Sequence, residues 1–186
     1  MLLLIVSACA RDPIDVPCPG VAAGELAVSE IRGDQTGTAD TLGQWIEIYN
    51  ASGRLIDLTG LVVKIRKIDG SAVARIVVRE EALAVAADAY VVLGEFSPVS
   101  LPAHVDYGFI EDFSQSIYAA GAIALESCGR LVDQAVYRDL PGSGSWAFDG
   151  ARVPDALAND DEAAWCADAE GTTHSGTPRE GNRPCI

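Results

Sequence analysis

Oxygen-bearing side chains follow one another in Asn159-Asp160-Asp161-Glu162. Carboxylate and amide oxygens are the ligands that Ca²⁺ prefers, so this acidic turn is a candidate calcium site. Its spacing differs from that of an EF-hand loop, which needs acids at alternate positions, a central glycine and a late glutamate. The alternative is capping, because a carboxylate before the short segment 162–165 accepts hydrogen bonds from free helix N–H groups. We favour capping and solvation over calcium here.

Glu30 and Glu47 form a second pair of oxygen donors. They lie in two β-type stretches that follow each other in the chain, so the two carboxylates could face each other on neighbouring strands and share a cation. Charged side chains are rarely buried unless they are paired, which makes solvated, outward-pointing glutamates the simpler interpretation. We therefore expect no bound metal or other cofactor, with Ca²⁺ as the alternative.

The sequence offers no pattern for hydrolysis. His104 and His174 both fall in loop or tail sequence. Gly142-Ser143-Gly144-Ser145 departs from the nucleophile elbow, because Trp146 stands where the last glycine of that motif should be. No glycine-rich loop opens a helix, so a phosphate cradle is also not indicated. The sequence predicts that this protein is not an enzyme.

The five cysteines favour an exported protein. If Cys9 carries a lipid, an even set remains, namely Cys18, Cys128, Cys166 and Cys185. Four cysteines in an exported chain suggest two disulfides, and three pairings are possible. We favour Cys166–Cys185 with Cys18–Cys128, since the first closes a tail that has almost no apolar residues; closing such a loop is worth roughly 3 kcal/mol. Zinc is disfavoured, because the chain has no CxxC pair and neither histidine is near a cysteine pair.

The first ten residues are apolar and contain small residues around a cysteine. Val6-Ser7-Ala8-Cys9 resembles the bacterial lipobox, which implies cleavage before Cys9 and attachment of diacylglycerol to its sulfur. The stretch is too short to cross a bilayer as a helix, and it lacks the Lys or Arg that usually precedes a signal sequence. Ala10, in place of Asp, follows the cysteine, and the same resemblance then favours the outer membrane.

Composition limits the classes of partner. The formal net charge of −14 argues against nucleic acid, whose phosphates need clustered Lys and Arg. It also argues against docking on anionic lipid through basic residues, so the membrane would be reached only through the lipid anchor. A length of 186 residues and 49% hydrophobic content fit one folded domain. We expect a signal peptide and tether at 1–24, a folded domain at 25–148 and a C-terminal capping tail at 149–186.

β-Branched and aromatic stretches recur at short intervals, with Gly, Asn and Asp between them, which indicates an antiparallel sandwich or barrel. The expected strands are 26–31, 44–50, 61–68, 72–78, 89–94, 105–110, 122–127, 131–137 and 144–148. Residues 80–87 are expected to form an extended or single-turn crossover. The predicted core consists of Ile46, Ile48, Leu58, Val63, Ile65, Val91, Leu93, Ile123, Leu125, Val132 and Val136.

One part of this pattern resembles a known family. Trp45-Ile46-Glu47-Ile48-Tyr49-Asn50, a short polar loop and then Ile56-Asp57-Leu58-Thr59-Gly60 resemble the opening of a lamin-tail domain, which also occurs in bacterial surface proteins. The hairpin from Leu125 to Tyr137 matches in order, so the resemblance covers roughly 26–148. It implies an all-β, immunoglobulin-like antiparallel β-sandwich.

The end of the chain resembles bacterial lipoproteins of the same type, which often finish with an acidic turn, a Trp-Cys pair and a Gly-Thr-Pro segment before a last cysteine. Here these are Trp165-Cys166, Gly176-Thr177-Pro178 and Cys185. The resemblance implies a disulfide-clasped C-terminal tail. We interpret the tail as a cap over one sheet edge, with Trp165 buried.

Aromatic residues provide the candidate recognition surface. Tyr107, Phe109, Phe113 and Tyr118 lie at expected strand ends or in loops, where sandwiches present binding residues. Core filling is the alternative and the more common role of such side chains. The resulting functional hypothesis is a non-catalytic, lipid-anchored binding or structural module of the bacterial cell envelope, with a protein or glycan partner. The alternative is a calcium-dependent carbohydrate-binding or adhesive domain.

Overall fold

Residues 17–35, 42–168 and 176–186 are described by the structure, which is a computed structural model. Strands dominate this part of the chain, and within it the only helices are two 3₁₀ helices, at Ala158–Asp160 and Glu162–Ala164. The strands are β1 Leu26–Arg32, β2 Trp45–Asn50, β3 Ile56–Asp57, β4 Val62–Lys67, β5 Val73–Val77, β6 Ala84–Val85, β7 Tyr90–Gly94, β8 Tyr107–Gly108, β9 Gly121–Ser127, β10 Arg130–Tyr137, β11 Ser145–Phe148 and β12 Trp165–Asp168. In these ranges no helix has the length and apolar character needed to cross a bilayer.

Two large sheets form a sandwich. The six-stranded sheet has the order β12-β11-β1-β2-β7-β8, and the four-stranded sheet has the order β10-β9-β4-β5. All neighbours pair antiparallel except β7 and β8, which are parallel. The short pair β3–β6 stands apart from both sheets. The expected all-β antiparallel sandwich with a disulfide-clasped C-terminal tail is confirmed.

The core lies between the two large sheets. Ile46 and Ile48 reach it from the six-stranded sheet, and Val63 and Ile65 reach it from the four-stranded sheet. The side chains between them point the other way, because successive residues of a strand alternate between its faces. On β4, for example, Lys64 lies outside and donates to Glu126 of β9 at 2.7 Å.

The predicted core residues are buried with one exception, Val136, which is 38% exposed. The reason is a bulge in β10, where the pairing with β9 shifts between Leu131 and Asp133. A bulge inserts one residue and changes which side chains face inward. Further along β10, Ala135 and Tyr137 therefore enter the core in place of Val136.

Both disulfides expected from the sequence are present. Cys18 pairs with Cys128 with their Cα atoms 5.2 Å apart, and Cys166 pairs with Cys185 with their Cα atoms 5.8 Å apart. The fifth cysteine, Cys9, lies outside the described residues, together with the lipobox-like motif and the first part of the expected tether, up to residue 16.

The C-terminal tail differs from the expected cap over a sheet edge. Trp165, which is buried as expected, begins β12, and this strand pairs with β11 and forms an edge of the six-stranded sheet. Residues 176–186, which we call the C-terminal strap, then pass over the face of that sheet that points away from the core. The tail is thus part of the sheet and the cover of its outer face.

Candidate functional site

Glu30 and Glu47 are directly opposite each other on β1 and β2. The register of this pair shifts between Val28 and Glu30, so Ser29 occupies a bulge. Two residues of a bulged strand oppose one residue of its partner. Ser29 and Glu30 consequently both face Glu47, on the outer side of the sheet.

This pair belongs to a row that runs across the six-stranded sheet. Val92, Glu47, Glu30, Ala147 and Cys166 are successive cross-strand partners from β7 to β12. Residues that are opposite each other in neighbouring strands share a face of the sheet. The disulfide from Cys166 to the strap therefore lies on the same face as the two glutamates.

Both glutamates are completely buried, with no solvent-exposed surface. The expectation that they point into solvent is therefore wrong. The strap covers them, and the other residues of β1 and β2 are also buried, those on the inner face by the core and Trp45 by Val105 and its neighbours. Alternation correctly places Glu30 and Glu47 on the side away from the core, but it does not reveal that this side is covered.

Glu30 accepts hydrogen bonds from two elements. The Ser145 hydroxyl of β11 donates to Oε1. From the strap, the Thr177 backbone N–H lies 3.1 Å from Oε1 and 3.2 Å from Oε2, and its Oγ1 lies 3.1 Å from Oε2. Gly176 packs so closely here that a Cβ would collide with Glu30 Oε1 and with Ser145 Oγ, and its φ of +71° also favours glycine.

Glu47 has a similar environment. Ser29 Oγ donates to its Oε1 at 2.8 Å, and the Arg179 backbone N–H donates to its Oε2 at 2.7 Å. The Arg179 side chain does not neutralise Glu47, because it turns to Asp106 at 3.4 Å and to the Ala103 carbonyl at 3.0 Å.

Burial makes ionisation of both carboxyls unfavourable. It raises the pKa of Glu30 to about 7, against the hydrogen bonds from Ser145 and Thr177, and the charge of Asp168 raises it further. Burial raises the pKa of Glu47 well above its usual range, and the charge of neighbouring Glu30 adds to this effect. The pair therefore retains a proton near neutral pH.

The hydrogen-bond partners of Glu30 and Glu47 are compatible with a protonated carboxyl group. A hydroxyl group can donate or accept, whereas a backbone N–H can only donate. Each glutamate contacts both types of partner: a serine hydroxyl, from Ser145 or Ser29, and a backbone N–H, from Thr177 or Arg179. A neutral carboxyl can thus donate its proton to a serine while its other oxygen still accepts from the strap.

Further contacts hold the strap in place. Asn182 Nδ2 donates to the carbonyls of Ser29 and Phe148, both at 2.8 Å. Arg183 pairs with Asp168 at 2.5 Å, beyond Asn182 toward the C-terminus. Together with the Cys166–Cys185 disulfide, these contacts fix the C-terminal half of the strap.

The oxygens of the glutamate pair are engaged within the protein. Each of the four carboxyl oxygens lies within hydrogen-bond distance of a hydroxyl or a backbone N–H. Across the ranges that the structure describes, no three His, Cys, Asp or Glu residues come together as a metal site. The geometry therefore gives no support to the calcium alternative at Glu30 and Glu47.

The acidic turn acts as a cap, as the sequence favoured. Asp161 is the N-cap of the second 3₁₀ helix, and its side chain accepts from the Ala163 N–H. Asn159 is buried, and its Nδ2 donates to Asp133 Oδ2 at 2.8 Å and to the Val28 carbonyl at 3.1 Å. Asp160 is exposed. These residues are separate from the Glu30–Glu47 pair.

Three of the four aromatic residues in the candidate recognition patch fill the core, which is the alternative that the sequence favoured. Tyr107, Phe109 and Phe113 are buried members of the core, and only Tyr118 is partly exposed. The Tyr107 hydroxyl donates to the Val77 carbonyl at 2.8 Å, which attaches β8 to β5. These aromatic side chains fill the space between the sheets instead of forming a recognition surface.

Of the two histidines, His104 lies in the part of the chain that the structure describes. His104 Nε2 lies 2.9 Å from the Leu42 carbonyl oxygen, and its ring packs edge-on against Phe96. His174 lies outside the described residues. Sequence reasoning missed Ser29, Ser145 and Thr177 as partners of the glutamates; the Gly-Thr pair at 176–177 was noticed only as part of the tail pattern.

Comparison of the chain with protein-family models and with curated proteins gives no match.

Proposed function

We propose that this protein is a non-catalytic, lipid-anchored binding or structural module of the bacterial cell envelope. One observation carries the proposal: four of the five cysteines form two disulfides in the folded domain, which leaves Cys9 as the fifth. Disulfides persist in exported proteins. A cysteine left over at the end of an apolar, lipobox-like segment is then a natural acceptor for a lipid.

The attachment of residues 17–24 supports an anchor on this side of the molecule. Cys18 is bonded to Cys128 at the turn between β9 and β10. Val21 N–H donates to Ser127 Oγ at 3.1 Å, and Gly24 N–H donates to the Val132 carbonyl at 2.9 Å. A chain that extends from a membrane anchor would therefore be attached to the four-stranded sheet, through residues 17–24, before it enters β1.

Metabolic labelling with palmitate tests the lipid anchor. The wild-type chain expressed in an enteric host should incorporate the label and fractionate with the outer membrane, while Cys9→Ser should do neither. A double Cys166→Ser, Cys185→Ser variant serves as the control, because it should remain labelled. Equal labelling of wild type and Cys9→Ser would contradict the proposal.

The binding role is proposed for a protein or glycan of the envelope. The support is a rigid head with two disulfides, because a preorganised surface loses little conformational entropy on binding. Envelope proteins and glycans should be retained by the immobilised, oxidised chain and lost when the same chain is reduced and unfolded. Retention that is equal for both forms would show only non-specific capture and would contradict a folded binding surface.

A further inference from the structure

We propose that the C-terminal strap is a proton-dependent latch, whose segment 176–181 stays closed over Glu30 and Glu47 while the pair holds a proton and opens when both carboxyls are ionised. This inference does not depend on the lipid anchor.

The contacts of this segment converge on the pair. Thr177 donates to Glu30 through its backbone N–H and its hydroxyl, and Arg179 donates to Glu47 through its backbone N–H. Gly176 lies against Glu30 itself. Closure of the segment therefore removes water from both carboxyls, and the free energy of closure depends on their charge.

Two ionised glutamates beneath the closed segment would repel each other. Glu30 and Glu47 are opposite neighbours on adjacent strands, and like charges placed directly opposite are destabilising. No solvent reaches either side chain while the strap is closed. Opening of the segment restores hydration, which is the response we expect once the pair loses its proton.

The surrounding charged groups reinforce this response. Asp168 on β12 and Asp106 before β8 add negative charge near the pair. The two strap arginines are engaged by those aspartates, Arg179 by Asp106 and Arg183 by Asp168. On β7, burial raises the pKa of the Tyr90 hydroxyl and the charge of Glu47 raises it further, so this group stays neutral in the same range.

The C-terminal half of the strap limits the movement. Asn182 remains bonded to the carbonyls of Ser29 and Phe148, and Cys185 remains joined to Cys166. Neither attachment involves the glutamate side chains. The moving part is thus confined to 176–181, and the sandwich stays folded.

The direction of the pH effect follows from linkage. A carboxyl whose pKa is higher in the closed state than in the open state favours closure below its ordinary pKa, and this contribution is lost as the pH rises through the closed-state value. For Glu30 that value is about 7. The segment should therefore be tightly closed at pH 5.5 and more often open at pH 7.5 and above.

Hydrogen exchange on the full chain tests the latch. After correction for intrinsic exchange, the protection of the Thr177 and Arg179 amides should fall by at least about tenfold between pH 5.5 and 7.5. The Val63 amide in β4 reports global unfolding and should stay far better protected than the two strap amides at both pH values. Constant protection at Thr177 and Arg179, or protection there equal to that of Val63, would overturn the proposal.

The double variant Glu30→Gln, Glu47→Gln tests the cause. A glutamine can donate to Ser29 or Ser145 through its Nε2 and accept from the strap through its Oε1, so the contacts can be kept without the charge. Its protection should no longer depend on pH. Glu126→Gln, on the other sheet, is the matched control and should keep the wild-type profile. A double variant that keeps the pH dependence would overturn the proposal. If the double variant does not fold, the pH dependence of protection at Thr177 and Arg179 in the wild-type protein is the test.

Discussion

Asp133 of β10 accepts a hydrogen bond from the backbone N–H of Val28 of β1, with Oδ2 2.7 Å from the nitrogen. The two strands belong to different sheets, so this bond joins the layers of the sandwich. The same oxygen accepts from Asn159 of the first 3₁₀ helix. One buried carboxyl thus ties both sheets and the C-terminal region together.

Asp133→Ala should destabilise the fold by about 2–4 kcal/mol, because it leaves the Val28 N–H and the Asn159 amide buried without their acceptor. Urea unfolding at pH 7 measures the loss. Asp133→Asn is the matched control: its amide oxygen can still accept, so the loss should be smaller. Equal losses for the two variants would show that the acceptor is unimportant.

Burial raises the pKa of Asp133 to about 6, so this group also affects stability through pH. Its protonated form is favoured in the folded state, and the contribution to stability declines as the pH rises from about 4 to 6. Asp133→Asn should flatten that part of the stability curve. If the curve is unchanged in Asp133→Asn, this pH dependence does not come from Asp133.

Glu47→Gln should raise the thermal stability at pH 8 relative to wild type and have less effect at pH 5. At pH 8 the substitution removes a buried negative charge opposite Glu30, whereas at pH 5 the wild-type pair is already protonated. Melting curves of both proteins at the two pH values measure the difference. A Glu47→Gln protein that is less stable at pH 8 would mean that the carboxylate form is the stabilising one.

Gly176→Ala should weaken the strap. The added methyl group would collide with Glu30 and Ser145, and the backbone has a positive φ. Gly70→Ala is the control, because Gly70 has a similar φ of +72° and nothing near its Cβ position. The control should lose only about 1 kcal/mol from backbone strain, and Gly176→Ala should lose more in the same unfolding experiment. Equal losses would exclude a steric contribution at Gly176.

The two disulfides should differ in their contribution to stability. Chain entropy assigns about 3 kcal/mol to Cys166–Cys185 and about 5 kcal/mol to Cys18–Cys128, since they close loops with sequence separations of 19 and 110 residues. Paired Cys→Ser variants and denaturant unfolding measure both values. The reverse order would show that local contacts outweigh loop closure.

The main features of the fold could be predicted from the sequence, because the alternation of apolar and polar residues along a strand indicates which side chains are buried. Ile46 and Ile48 are in the core as the period of two requires, and the cysteine pairing agrees with the preferred assignment. Val136 was misplaced because a bulge changes the alternation, and no residue type in β10 signals the inserted position.

The glutamate pair could not be predicted in the same way. Alternation along a strand distinguishes residues that face the core from residues that face away from it. It does not show whether the face away from the core is exposed to solvent. Here a segment more than 120 residues later in the chain covers Glu30 and Glu47, as the contacts from Thr177 and Arg179 demonstrate. Tyr107 shows the opposite error: a candidate for an exposed recognition surface is part of the core, and its strand, β8, pairs with β7.

The bond between Cys18 and Cys128 has a mechanical consequence. A pull on the chain ahead of residue 17 passes through the sulfur atoms to the turn between β9 and β10 before it reaches Leu26. The first strand is therefore shielded from being peeled off its neighbours one hydrogen bond at a time. Under tension the load would enter the four-stranded sheet through a covalent link at the turn of its outer hairpin.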